Sequence, residues 1–364
     1  MRILIISDLL AYGGASKLIN DLMPRLVEKG HYCELLILTD EHSKYIDSLT
    51  DTGFKISVLP KSVHGHWGKI QYIKKYIDAG NFDIIHANLF PVIYYVSIIK
   101  YIDSKCPPII MTEHSTDNKR RHKRYLRPLE QFIYRKYDGI ISISKQAEEQ
   151  LIKWLKDKKN KRYTIIENGI DLTRYKEAKA YEKSAVYPGC SNDDILLVMV
   201  GSFSVQKNHK NMISAMEKLP SNYKLLLVGE GPLQSEIEEI VDRKELKSRV
   251  KFLGFRTDVA ELMHTCDILV IPSLWEGFGL IAAEGMASGI SIVASNVEGL
   301  SDVVAECGLK FNPNQPDEIA EIVVKAYENN NRMNLIEKGK LRAENYDINR
   351  MVSEYEEIFN IALE

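Results

Sequence analysis

Along the whole chain, short β-branched apolar runs alternate with amphipathic helical stretches. The first half carries R-I-L-I-I-S (2–7), E-L-L-I-L-T (34–39), D-I-I-H-A-N (83–88), P-I-I-M-T-E-H (108–114), G-I-I-S-I-S (139–144) and Y-T-I-I-E-N (163–168). A second series reads I-L-L-V-M-V-G (195–201), K-L-L-L-V-G (224–229), V-K-F-L-G-F (250–255), D-I-L-V-I-P-S (267–273) and S-I-V-A-S (291–295). These runs are apolar at consecutive positions. Such strands are buried on both faces, which calls for parallel sheets covered by helices. Two series predict an α/β protein of two doubly wound domains.

The chain has 364 residues, long enough for two cores. The stretch 176–194 is polar, aperiodic and contains Pro188-Gly189. The boundary is placed there, giving domains 1–180 and 190–346. The apolar spacing of Met351, Val352, Tyr355, Ile358 and Phe359 predicts a C-terminal helix within about 347–364. Five cysteines are scattered without a C-x-x-C, as in a reducing compartment with neither a disulfide framework nor a zinc site. The apolar start ends at Ser7-Asp8, too early for a signal peptide, and no apolar run reaches membrane-spanning length. A cytoplasmic protein is expected. Residues 1–180 hold 30 Lys and Arg against 21 Asp and Glu, so +9; the remainder holds 18 against 29, so −11.

In open α/β sheets, ligands bind beyond the carboxyl ends of the strands, so the residues just after strands are the informative ones. Gly13-Gly14 after the first strand let backbone approach a ligand, and the helix that follows offers its N-terminus to an anion; a plain turn is the alternative. His86 and His114 end adjacent strands, where a histidine donates to a hydroxyl or phosphate or is merely a satisfied structural group. Asn168 ends a later strand by the same logic. The run N-K-R-R-H-K-R-Y-L-R (118–127), with Arg120 and Arg121, suits an acidic acceptor or anionic lipid headgroups, or is a solvated face. No nucleic-acid recognition module accompanies it. In the second half, Lys207 stands where it reaches an anion at a helix start. The exit L-G-F-R (253–256), with Phe255 and Arg256, exposes backbone that could read a flat base edge. In E-G-F-G-L-I-A-A-E (276–284), Gly277 and Gly279 permit a tight approach, and the helix begins near Gly279. Glu276 precedes that start and Glu284 lies over a turn inside, among small and apolar neighbours. An anion at the helix start would then have a carboxylate on either side for sugar hydroxyls. The alternatives are a helix-surface glutamate for Glu284 and a favourable N-terminal charge for Glu276.

This constellation resembles the GT-B retaining glycosyltransferases of family 4, whose E-x7-E signature is matched by residues 276–284. The resemblance extends through G-G-A (13–15), I-I-H-A-N (84–88), T-E-H-S (112–115), I-S-I-S (141–144), E-N-G-I-D (167–171), Q-K-N-H (206–209), V-G-E-G-P (228–232) and L-G-F (253–255), essentially the whole chain in order. It implies two Rossmann-like domains facing across a cleft, with the C-terminal helix packing back on the first. Catalytic roles fall to Glu276, beside the backbone of Phe278 and Gly279 at the donor sugar; to His114, by the reaction centre; and to Lys207, on the diphosphate. Glu284 would hold the ribose and Gly14 would approach the phosphates. Asn168, Ser202, Phe255, Arg256, Gly277 and Leu280 complete the donor side; His86, Arg120 and Arg121 form the acceptor side. Ser202 stands where the family often has an arginine, which removes half of the usual cationic clamp.

The expected partners are a nucleotide-sugar donor, a UDP-sugar favoured, and a glycan or lipid-linked acceptor in cell-surface polysaccharide assembly. Peripheral contact with an anionic inner membrane face remains open. No cofactor is expected. No D-x-D occurs, so no metal is expected on the diphosphate. Retention would come from attack on the face from which the nucleotide departs. The competing readings are a nucleotide-sugar epimerase, a two-lobed sugar-binding receptor and a catalytically silent homologue.

Overall fold

The computed structural model describes all residues except 11–12, 42–48, 50–53, 115–119, 159, 161, 192 and 329. The chain forms two compact units, residues 1–169 with 348–364, and residues 170–347.

The first unit is built on a seven-stranded sheet. Its strands are β1 (Arg2–Ser7), β2 (Tyr32–Ile37), β3 (Lys55–Val58), β4 (Ile84–Asn88), β5 (Ile109–Glu113), β6 (Gly139–Ser142) and β7 (Tyr163–Ile165). They run in the order β3-β2-β1-β4-β5-β6-β7, each pair parallel. The central strands are buried throughout save Arg2 at the start of β1, as continuous apolar runs require. One face packs on helices Gly65–Gly80 and Val92–Ile102 through Ile73, Ile77, Val96 and Ile99. The other packs on helix Gly14–Glu28 through Leu18, Ile19, Leu22 and Leu26. That second face is completed by helix Ile348–Leu363, whose Met351, Val352, Tyr355 and Phe359 are fully buried.

The second unit has a six-stranded parallel sheet. It is made of β8 (Ile195–Val200), β9 (Tyr223–Val228), β10 (Val250–Gly254), β11 (Ile268–Ile271), β12 (Ser291–Ser295) and β13 (Leu309–Phe311), in the order β10-β9-β8-β11-β12-β13. Helices His209–Lys218, Gln234–Arg243 and Pro316–Glu328 bury Met212, Ile213, Met216, Ile237, Val241, Ile319 and Val323 against it. No helix among the described residues is long and apolar enough to cross a membrane.

Three expectations are corrected. Strands β3 and β13 were not foreseen; both are short edge strands, only partly buried, and too brief for an apolar pattern. Residues 170–180, expected in the first domain, belong to the second unit. There Asp171 accepts a hydrogen bond from the Arg174 N–H (3.0 Å) and caps helix Leu172–Glu177. The buried Tyr175 of that helix lends its carbonyl to His264 Nε2 at 2.8 Å. The stretch 176–194, expected to be aperiodic, contains the one-turn helix Lys183–Val186, which buries Val186.

Candidate active site

The exits of β8, β9 and β11 in the second unit build the strongest candidate. The β8 and β9 exits meet backbone to backbone. A Cβ on Gly229 would lie 2.2 Å from the Gly201 carbonyl oxygen, so only glycine fits there. The chain then makes a short 3-10 turn, Val205–Lys207, and enters helix His209–Lys218. The stem of Lys207 runs over Gly201, where a Cβ would stand 3.2 Å from three of its carbons.

Beyond β11 the chain bends back toward this lysine. Lys207 Nζ meets Glu276 Oε1 at 2.5 Å, and Ser273 Oγ donates to the same oxygen at 2.7 Å. Glu276 is buried, and a buried carboxylate is tolerated only with such partners. Gln206 Nε2 donates to the Trp275 carbonyl (2.9 Å) and lies 3.4 Å from Glu276 Oε2. Gly279 takes φ +96° at the cap of helix Leu280–Ser288. A Cβ there would strike Leu300 at 2.8 Å, so the glycine sets both the turn and the close packing. Gly277 and Leu280 flank this start half-buried. Phe278 is buried edge-on against Tyr346, ring centroids 5.3 Å apart. Glu284 is buried in the same helix.

Two further residues of the turn region need description. Ser202 Oγ lies 3.3 Å from Ser204 Oγ. His209 stacks on Phe203 (centroids 4.2 Å apart), with no hydrogen-bond partner on either ring nitrogen among the described residues. Burial, reinforced by the Lys207 charge, lowers its pKa to about 4. At the β10 exit, Arg256 is committed to Asp258 by two hydrogen bonds, one at 2.7 Å. That pairing pulls the Asp258 carboxyl down to about 2. Phe255 stands beside it, half-buried.

In the first unit, Gly14 opens helix Gly14–Glu28, and Asn168 is buried with no partner on Oδ1 among the described residues. His114 follows β5. Its Nε2 sits 3.0 Å from Asn88 Oδ1, an acceptor, so the ring proton is on Nε2, and burial lowers its pKa to about 4.

His86 corrects its expected acceptor role. It is fully buried, with Nε2 2.8 Å from Thr112 Oγ1, and packs on Tyr355 and Phe359 of the C-terminal helix. Burial, then the nearby His114, lowers its pKa to about 3. Arg120 and Arg121, also expected on the acceptor side, are each paired with a buried acid. Arg120 Nε donates to the buried Glu130 at 2.7 Å and its guanidinium covers the Phe90 ring at 4.8 Å. Arg121 Nη2 donates to the buried Glu113 at 2.7 Å, with 7% of its side chain exposed. Both arginines serve as counterions to buried carboxylates. Sequence reasoning attached no role to Ser273 or Gln206. Their partners lie across a loop or 69 and 70 positions away, where no local period points to them.

Comparison with known proteins identifies the family. Residues 185–342 match the family described as Glycosyl transferases group 1, and residues 12–174 match Glycosyltransferase Family 4. The glycosyltransferase MJ1178 of Methanocaldococcus jannaschii is 30% identical over 278 residues, 73% of this chain and 72% of that protein. Several of the curated relatives are matched over less than two thirds of their own length, 64%, 54% and 59% among them. Anabaena Alr3699/HepE, solved in complex with UDP and glucose, superposes with TM-score 0.86 at 20% identity, covering 99% of this chain and all of that one. WaaG, a glycosyltransferase involved in lipopolysaccharide biosynthesis, superposes with TM-score 0.75 at 17% identity, covering 99% of each chain. With two parallel α/β units, the paired exits of β8 and β11 and both families matched in order, the chain belongs to the group 1, family 4 glycosyltransferases of the GT-B fold class.

Proposed function

We propose that the protein moves a sugar with retention from a nucleoside diphosphate sugar, UDP-sugars first among them, to a glycan or lipid-linked acceptor in cell-surface polysaccharide assembly. The observation that carries this reading is the Lys207–Glu276 pair beside the start of helix Leu280–Ser288, with Glu284 farther along that helix. The free N–H groups at the helix start and the Lys207 ammonium suit a diphosphate. Their positive charge is in place before the sugar–phosphate bond breaks, so it stabilises the oxyanion as it forms without a metal. Glu276 and Glu284 accept from hydroxyls of the sugar and of the ribose. The bond from the anomeric carbon to the phosphate oxygen breaks, and the bond to the acceptor oxygen forms on the same face. The acceptor proton passes to the departing phosphate oxygen, with no glycosyl-enzyme intermediate. UDP in the HepE complex and lipopolysaccharide in the WaaG description support donor and pathway by likeness.

Ser202, in place of the usual arginine, favours a second reading: a homologue that binds nucleotide without turnover. A thermal-shift panel of UDP-, GDP- and ADP-sugars on wild type and Glu284→Ala tests the donor, with mass-spectrometric analysis of product on an acceptor panel. The expected result is stabilisation by one nucleotide class, weakened about tenfold or more in apparent affinity by the mutation, together with transfer. Binding with no transfer to any acceptor would select the silent homologue.

A further inference from the structure

We propose that Gln206 is a positioning residue for Glu276, tying the β8 exit to the β11 exit so that the carboxylate keeps one oxygen aimed at the donor sugar. This rests on the role proposed for Glu276 above. Glu276 Oε1 is saturated by a cation and a hydroxyl, Lys207 and Ser273. Among the described residues, Oε2 has only the long 3.4 Å approach of Gln206 Nε2, so it is the oxygen with capacity left for a substrate hydroxyl. Gln206 holds the loop at two tighter points. Its carbonyl accepts the Leu274 N–H at 2.8 Å, and its side-chain amide donates to the Trp275 carbonyl at 2.9 Å. Both side-chain partners are acceptors, so only the NH2 end of the amide satisfies them and its orientation is determined. Three consecutive residues, Leu274 to Glu276, are thus held by the residue that directly precedes the lysine. Any pull of a diphosphate on Lys207 is transmitted to the Glu276 loop by two routes, the ion pair and the Gln206 clamp.

The experiment compares Gln206→Met, which keeps length and loses the donor, with Gln206→Glu, which sets a carboxylate against two acceptors. Among the described residues, Glu276 is bonded by Lys207, Ser273 and Gln206, so Gln206→Glu sets a like charge in contact with it. For Gln206→Met, kcat is expected to fall about tenfold, with donor KM within about twofold. In Gln206→Glu, which sets a negative charge against the Trp275 carbonyl and Glu276, kcat is expected to fall further than in Gln206→Met. Wild-type kcat in either variant would overturn the proposal. A crystal structure of donor-free Gln206→Met gives a readout independent of turnover. Displacement of Leu274–Glu276 supports the clamp, and an unmoved loop overturns it. Were the wild-type enzyme inactive with every donor, the functional reading would fail while this crystallographic outcome still decided the clamp.

Discussion

The strand exits of the two units invite comparison. Each presents polar residues where an open α/β sheet should bind ligands, yet the two treat them differently. In the second unit, Lys207 and Glu276 come from separate exits and meet directly. In the first, His86 and His114 come from adjacent strands and part company. His114 lies past the end of β5, while His86 sits inside β4 and is covered by the C-terminal helix. A strand advances about 3.3 Å per residue. Two residues short of the strand end, His86 therefore sits deep enough to be covered by the C-terminal helix. The arginines after β5 teach the same lesson for charge: a basic run read as a surface is partly consumed by buried Glu113 and Glu130.

The comparison can be broken first at its strongest point. Lys207→Ala should lower kcat by on the order of a hundred- to a thousandfold, the usual cost of one preorganised charge stabiliser. A steady-state nucleotide-release assay reads this. Loss confined to KM would mean that the lysine only binds donor. Next, Arg121→Met should destabilise the first unit by about 3 kcal/mol, because it removes the guanidinium that pairs with the buried Glu113. Denaturant unfolding measures this, and a change within about 0.5 kcal/mol would return Arg121 to a surface role.

The smallest effect concerns pH. His86 and His114 have folded-state pKa values lowered to about 3 and about 4, from 6.5. The unfolded chain binds protons more readily at both sites. Their neutrality therefore costs nothing above about pH 6.5, and stability is lost as pH falls below it, by up to about 1.4 kcal/mol per pH unit per histidine. His86→Phe should flatten that acid slope by one histidine's share while leaving the turnover of folded enzyme unchanged. His114→Phe should flatten it too but also lower kcat. Equal kinetic losses in both variants would erase the distinction between them. Urea unfolding from pH 7 to pH 5, paired with kcat, makes the measurement.

What was legible in the sequence follows from where information is local. Central strands advertise themselves through unbroken apolar runs, and the helix start at Gly279 through its glycines and spacing. Edge strands β3 and β13 bury too little to leave a pattern. The short helix Leu172–Glu177 lies in a polar stretch where its cap, Asp171, is the local signal and its buried Tyr175 is a single residue. The direction of a side chain is hardest to read. Nothing local to His86 tells of Tyr355, and nothing local to Arg121 singles out Glu113 from other acids. The Gln206 amide finds the Trp275 carbonyl only once two strands are side by side.

The helix Ile348–Leu363 has a consequence for synthesis. Its Met351, Val352, Tyr355 and Phe359 finish one face of the first unit's core, yet they are encoded after all of residues 170–347. The ribosome therefore makes the entire second unit before the first can close. During that interval Ile3, Ile5, Ile110 and Ile141, which share this core with the helix, lack the cover it supplies. At about 5–20 residues per second the delay is on the order of ten seconds or more. The nascent chain thus carries an oily, incomplete sheet for far longer than elementary folding steps take, a natural client for chaperones that shield hydrophobic surface.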